Sequence, residues 1–119
     1  AVLAQHDEIP TLIFDAIDVG ISGRTAQMVA EKMSYIGNTH QVICISHLAQ
    51  IAAMADAHYL IEKSSHKDHT STDIRMLDTE ESVNELARIL GGVEITDSVR
   101  ESAAEMKQMA EQVKSGLRA

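Results

Sequence analysis

Two short apolar runs constrain this chain more than any other feature. Thr11-Leu12-Ile13-Phe14 follows Pro10 and is halted by Asp15, and Gln41-Val42-Ile43-Cys44-Ile45 leads into Ser46 and His47. Each has the length of a strand and almost no polar interruption, which predicts strands buried on both faces. Between them, Gly20 and Gly23 bracket a turn, and Ser22 stands where a helix N-cap belongs. From Arg24 to Ile36 the apolar residues Ala26, Val29, Ala30 and Met33 recur at spacings of three and four, the pattern of a helix with one inward stripe, and Gly37-Asn38 closes it. Strand, helix and strand with short joins predict a right-handed parallel crossover, so both polar ends should reach the same edge of the sheet.

The remainder reads as further α/β structure. A shorter helix is expected from Leu48 to Met54, a third strand at Tyr59-Leu60-Ile61 and a fourth over residues 73–77. The polar stretch Ser64 to Ser71 has no periodicity and reads as a hairpin loop or mobile tip. Glu80 to Leu90 carries Val83, Leu86, Ala87 and Leu90 on one face and stops at Gly91-Gly92. A last helix is expected from Asp97 to Lys114, opened by a capping box Ser98-x-x-Glu101. Its narrow seam of Val99, Ala103, Met106, Ala110 and Val113 suits packing along one partner helix or the base of a coiled coil.

Composition narrows the function classes. With 119 residues and 10 Lys plus Arg against 18 Asp plus Glu, the net charge is 10 − 18 = −8. This rules out an autonomous basic nucleic-acid module, which needs a positive field toward phosphate. No apolar run is long enough to span a bilayer. The lone Cys44 forbids an internal disulfide and suits a reducing cytoplasm. With one Phe, two Tyr, no Trp and six Met, the core must come from aliphatic residues, Ala and Met. The opening Ala1-Val2-Leu3-Ala4-Gln5 carries no cap signal, so the chain is expected to be a fragment entered partway through a helix.

Chemistry is expected at the strand ends. A carboxylate at the carboxyl end of a parallel strand, here Asp15, lies where such sheets bind ligands and can hold Mg²⁺ through its water shell. His47, ending the second strand, would reach a phosphate oxygen or a water near Asp15. Other features carry less. His66, Asp68 and His69 lie close enough for a weak metal site, but a flexible polar tip accounts for them better. Cys44 reads as inert core, and Met106 and Met109 as packing. A phosphate-accepting receiver domain would need a second strand-end Asp and a Lys that are missing here, and a haloacid-dehalogenase-type phosphatase needs aspartates spaced by two, whereas Asp15 and Asp18 are spaced by three.

Three stretches together are recognisable: Phe14 to Gly23 (FDAIDVGISG), Ile45 to Ala52 (ISHLAQIA) and Glu85 to Gly92 (ELARILGG). They resemble the C-terminal head segment of the RecN family, bacterial DNA double-strand-break repair proteins related to SMC and ABC-type head ATPases. The resemblance covers nearly the whole chain and is weakest at residues 64–72. It implies an α/β fold, the C-terminal lobe of a P-loop ATPase head with mostly parallel strands, flanking helices and a terminal amphipathic helix. Residues 1–119 would form the Walker B, D-loop and switch-histidine part of the head. By position, Asp15 matches the Walker B aspartate that supports nucleotide-bound Mg²⁺. Asp18, Val19, Gly20, Ile21 and Ser22 match the D-loop and its entry, which meet the opposing head, and His47 matches the switch histidine near the terminal phosphate. The implied cofactors are ATP and Mg²⁺. The implied partners are the N-terminal lobe of the same protein, a second head in an ATP-dependent dimer, DNA through other parts of the protein and a recombinase, with no membrane and a cytoplasmic, nucleoid-associated location.

One departure stands out: Ala16 occupies the position where the family pattern has the catalytic Glu. A methyl group neither accepts a proton nor orients water, so a general-base contribution of about 100- to 10,000-fold should be missing. A head built with this chain is expected to bind ATP and hydrolyse it poorly. Ala49 and Ser46 also depart from the family's usual Pro and Thr, without touching this chemistry. The sequence contains no Gly-x-x-x-x-Gly-Lys-Ser loop and no Leu-Ser-Gly-Gly signature, so the isolated chain should not hold ATP tightly. The alternative is a non-catalytic dimerisation or scaffold module contacting a coiled coil or repair partner.

Overall fold

The computed structural model describes residues 10–15 and 22–118, in the order β1 (Thr11–Asp15), α1 (Gly23–Ile36), β2 (Gln41–Ile45), α2 (Ala49–Ala53), β3 (Tyr59–His66), β4 (His69–Met76), α3 (Thr79–Gly91) and α4 (Asp97–Arg118). β1 and β2 pair in parallel, in a register running from Thr11 opposite Gln41 to Asp15 opposite Ile45. The Gln41 N–H, donating to the Pro10 carbonyl at 2.8 Å, starts this ladder. Ser22 caps α1 as expected: its Oγ accepts from the Thr25 N–H at 3.3 Å.

The four strands do not build one mostly parallel sheet. β3 and β4 form a separate antiparallel hairpin closed by the two-residue turn Lys67-Asp68, with His66 opposite His69. A two-residue turn lets neighbouring strands pair locally, whereas parallel partners need a crossover. The polar stretch expected as a loop or mobile tip is therefore largely strand: its residues alternate and pair across the ladder despite lacking an apolar face.

The expectation of strands buried on both faces also fails. Leu12, Phe14, Val42 and Cys44 turn toward the helices, and Ile13, Ile43 and Ile45 turn away from them and are exposed, Ile13 at 69%. The described residues place helices on one side of this pair only. A continuous apolar run is what a doubly covered parallel strand requires, and here half of that cover is missing.

The core lies among the helices. Ala26, Ala30 and Met33 of α1 meet Ala49, Ile51 and Ala53 of α2, Leu86 and Ala87 of α3, and Ala103 and Ala110 of α4. So many alanines allow close helix approach, and Leu86 is the one large side chain wholly removed from solvent among the described residues. Val99, Met106 and Val113 pack against this cluster too. The α4 seam expected to face a partner helix is thus occupied by the chain's own core.

Helix ends show the local chemistry. α3 opens with a capping box in which the Asp78 carboxylate accepts from the Glu81 N–H at 2.8 Å and Glu81 accepts from the Asp78 N–H at 3.2 Å. It closes on Gly92, whose φ of 69° and ψ of −117° lie where a side chain would be strained. For α4 the expected capping box is corrected. Thr96 does the capping, its hydroxyl accepting from the Val99 N–H at 3.2 Å and its carbonyl from the Arg100 N–H at 3.0 Å, and Ser98 lies inside the helix. Among the described residues no helix is long and apolar enough to cross a membrane.

Candidate functional site

The carboxyl ends of β1 and β2 gather the polar groups that the sequence singles out. Asp15 is the last residue of β1, exposed, and paired in register with Ile45, the last residue of β2. Two residues beyond Ile45 comes His47, also exposed. The link into α2 is not slack: Ser46 Oγ accepts from the Leu48 N–H at 3.0 Å, a side-chain turn that fixes the backbone around His47. Parallel pairing in this register brings Asp15 and His47 to the same edge.

The start of α1 joins that edge. A Cβ on Gly23 would lie 3.0 Å from Gln50 Nε2 of α2, so the N-terminus of α1 and the helix that follows His47 are in contact. Ser22, the cap of α1, holds its hydroxyl on Thr25, 3.1 Å from Thr25 Oγ1. Gln50 was not legible as part of this edge, since nothing in the sequence of a short helix marks a glutamine as meeting the helix before it. Ala16, Asp18, Val19, Gly20 and Ile21 lie outside the described residues, and of the D-loop positions only Ser22 is within them.

Among the described residues no three His, Cys, Asp or Glu side chains converge as a metal-ion cage. An exposed single carboxylate such as Asp15 fits the habits of Mg²⁺, which takes one or two carboxylates and fills its remaining positions with water and phosphate oxygens.

A groove of about 330 Å³ lies elsewhere, between the hairpin base and α3, lined by Leu60, Leu77 and Ile95 among others. Its charged groups already face one another: Arg75 pairs with Glu81 and Arg88 with Glu85. These pairs hold both arginines above and Glu81 below their ordinary pKa ranges through the shared hydrogen bonds. Nearby, His58 Nδ1 lies 2.7 Å from the buried Ser82 Oγ. Burial, and then the Lys107 charge, push the His58 pKa down, with Glu85 opposing. Ser82 is enclosed, so this pair is structural rather than an exposed nucleophile with its base.

Taken together, fold and edge define a small α/β segment whose polar residues collect at the carboxyl ends of a parallel strand pair. No family model matches the chain. It is 43% identical over 113 residues to the DNA repair protein RecN of Halalkalibacterium halodurans, covering 95% of this chain and 20% of that protein. To RecN of Bacillus subtilis it is 40% identical over 115 residues, covering 97% and 20%, and to RecN of Treponema pallidum 50% identical over 91 residues, covering 76% and 16%. The chain belongs to the RecN family, and it spans about a fifth of the length of the curated relatives it matches.

Proposed function

We propose that this chain is the C-terminal lobe of a RecN-type ATPase head, residues 1–119 carrying the Walker B, D-loop and switch-histidine elements, and that it acts in recombinational repair of DNA breaks. The observation that carries the reading is the register of β1 and β2, with Asp15 ending one strand and His47 just past the end of its parallel neighbour. Asp15 would support Mg²⁺ on ATP through water, and His47 would hydrogen-bond the terminal phosphate. When bound, Mg²⁺ neutralises phosphate charge. Ser22, with Asp18, Val19, Gly20 and Ile21, would meet the opposing head.

The phosphate-cradling loop is not in this sequence, so the remainder of the nucleotide site must come from an N-terminal lobe. The bare face of Ile13, Ile43 and Ile45 supports that reading, because a parallel pair is stable when both faces are covered. DNA and a recombinase would be met by other parts of the protein, in the cytoplasm and at the nucleoid.

Ala16 makes this head one that engages on ATP and hydrolyses it slowly. The test uses the complete protein. Heads should pair in sedimentation experiments only with ATP and Mg²⁺, and Asp15→Asn should abolish that pairing. Ala16→Glu should raise steady-state turnover about 100-fold or more. Turnover unchanged by Ala16→Glu removes the catalytic part of the proposal, and pairing indifferent to nucleotide favours a scaffold module instead.

A further inference from the structure

The hairpin tip is ordered in a way that the sequence pattern disguises. His66 and His69 flank the two-residue turn and are register partners, so their side chains rise from the same face. Both are exposed, and their ring centroids are 5.3 Å apart with the planes tilted by 40°. Directly beneath them on that face, Ser64 Oγ and Ser71 Oγ share a hydrogen bond at 2.8 Å, fastening the strands one rung below the rings.

We propose that His66 and His69 form a two-imidazole site for a late first-row divalent ion, Zn²⁺ or Cu²⁺. The geometry is specific. With metal–nitrogen bonds of roughly 2.0–2.1 Å and a tetrahedral angle, two imidazoles sharing one ion have centroids roughly 5 Å apart. The observed separation is close to that value, so rotation of the two side chains can turn one nitrogen of each ring toward a shared ion with little movement of the strands. Neutral imidazole nitrogen is a preferred donor for these ions and a poor one for Mg²⁺ or Ca²⁺, which separates this site from the carboxylate edge at Asp15. Two protein ligands leave the remaining coordination positions to water, the arrangement of an open rather than a closed site. The hairpin pays little ordering cost on binding, because the turn and the Ser64–Ser71 hydrogen bond set the strands beforehand.

The test is a titration of the complete protein with Zn²⁺, followed by calorimetry and by the imidazole nitrogen resonances. The rings of His66 and His69 should shift together, saturating at one ion. His66→Gln and His69→Gln should each weaken this binding at least tenfold, since loss of a ligand exceeds the 10- to 100-fold typical of losing a second-shell partner. The double variant should bind at least as weakly as either single one, with a loss smaller than the sum of the two single losses, as expected when both ligands serve one ion. Cu²⁺ should show two equivalent nitrogen donors in its paramagnetic resonance spectrum. Either single variant binding Zn²⁺ as tightly as the unmodified protein, or only one of the two rings responding, overturns the proposal. The metal-free melting temperature of the variants checks that the exposed substitutions leave the fold intact.

Discussion

Lys114, near the end of α4, donates from its ammonium to the Ala55 carbonyl at 3.1 Å and to the Asp56 carboxylate at 3.3 Å, some 58 residues earlier in the chain. Its own helix adds Glu111 at 2.9 Å. The residue is 2% exposed, with its stem covering apolar surface and its head group reaching the segment between α2 and β3.

Removing that tie should cost more than removing its exposed partner. Lys114→Ala is expected to destabilise by about 1–3 kcal/mol, because the Ala55 carbonyl loses its donor and packing is lost with it. Asp56→Ala, whose carboxylate is mostly exposed, should cost about 0–1 kcal/mol. Denaturant midpoints of the two variants check the order.

Acid should weaken the fold through His58. Burial, then Lys107, keep its folded pKa below the ordinary value of 6.5, so the unfolded chain takes up the proton first on acidification. This contribution is fully present above pH 6.5 and is lost as pH falls through that value toward the folded pKa. Unfolding free energy measured between pH 7.5 and 5 should fall more steeply for the unmodified chain than for His58→Gln.

The α4 cap can be tested by two neighbouring substitutions. Thr96→Ala removes the hydroxyl that accepts from Val99 and should cost about 1 kcal/mol. Ser98→Ala lies inside the helix, where alanine is the better former, and should change stability by no more than a few tenths of a kcal/mol. The reverse order in thermal melts would restore the Ser98 cap.

Core and bare face should respond oppositely to context. Leu86→Ala, at a fully buried position, should cost about 2–5 kcal/mol wherever it is measured. Ile13→Ser should be nearly neutral in this chain alone and, on the proposal that an N-terminal lobe covers this face, should sharply reduce the stability of the complete protein. Equal effects in both settings would show that nothing docks there.

The fold was legible where local spacing decides it. Helix α1 shows its stripe in Ala26, Ala30 and Met33 and its cap in Ser22, and α3 shows its terminus in Gly92, because periodicity and special backbone angles act over a few residues. The capping box Asp78-x-x-Glu81 is a local signal of the same kind, carried by two residues three apart. The strand ends of the candidate edge were legible for the same reason: an apolar run stopped by Asp15, and another by Ser46 and His47.

Other choices needed the tertiary structure. Runs such as Leu12-Ile13-Phe14 state that both faces want cover, and only the packing shows that the helices cover one and leave Ile13 bare. Alternation of Ser, His and Thr from residue 64 to 71 has no apolar face to announce a strand, yet pairing through a two-residue turn extends the hairpin to His66 and His69. The α4 seam likewise states its period without naming its partner, which proves to be the chain's own Leu86 cluster. The sequence by itself determined the helices, the strands β1 and β2 and the acid and histidine at their ends, since those depend on neighbours along the chain. Which faces are filled, which strands pair and which distant side chains meet were decided by tertiary packing, since each depends on partners that sequence spacing does not specify.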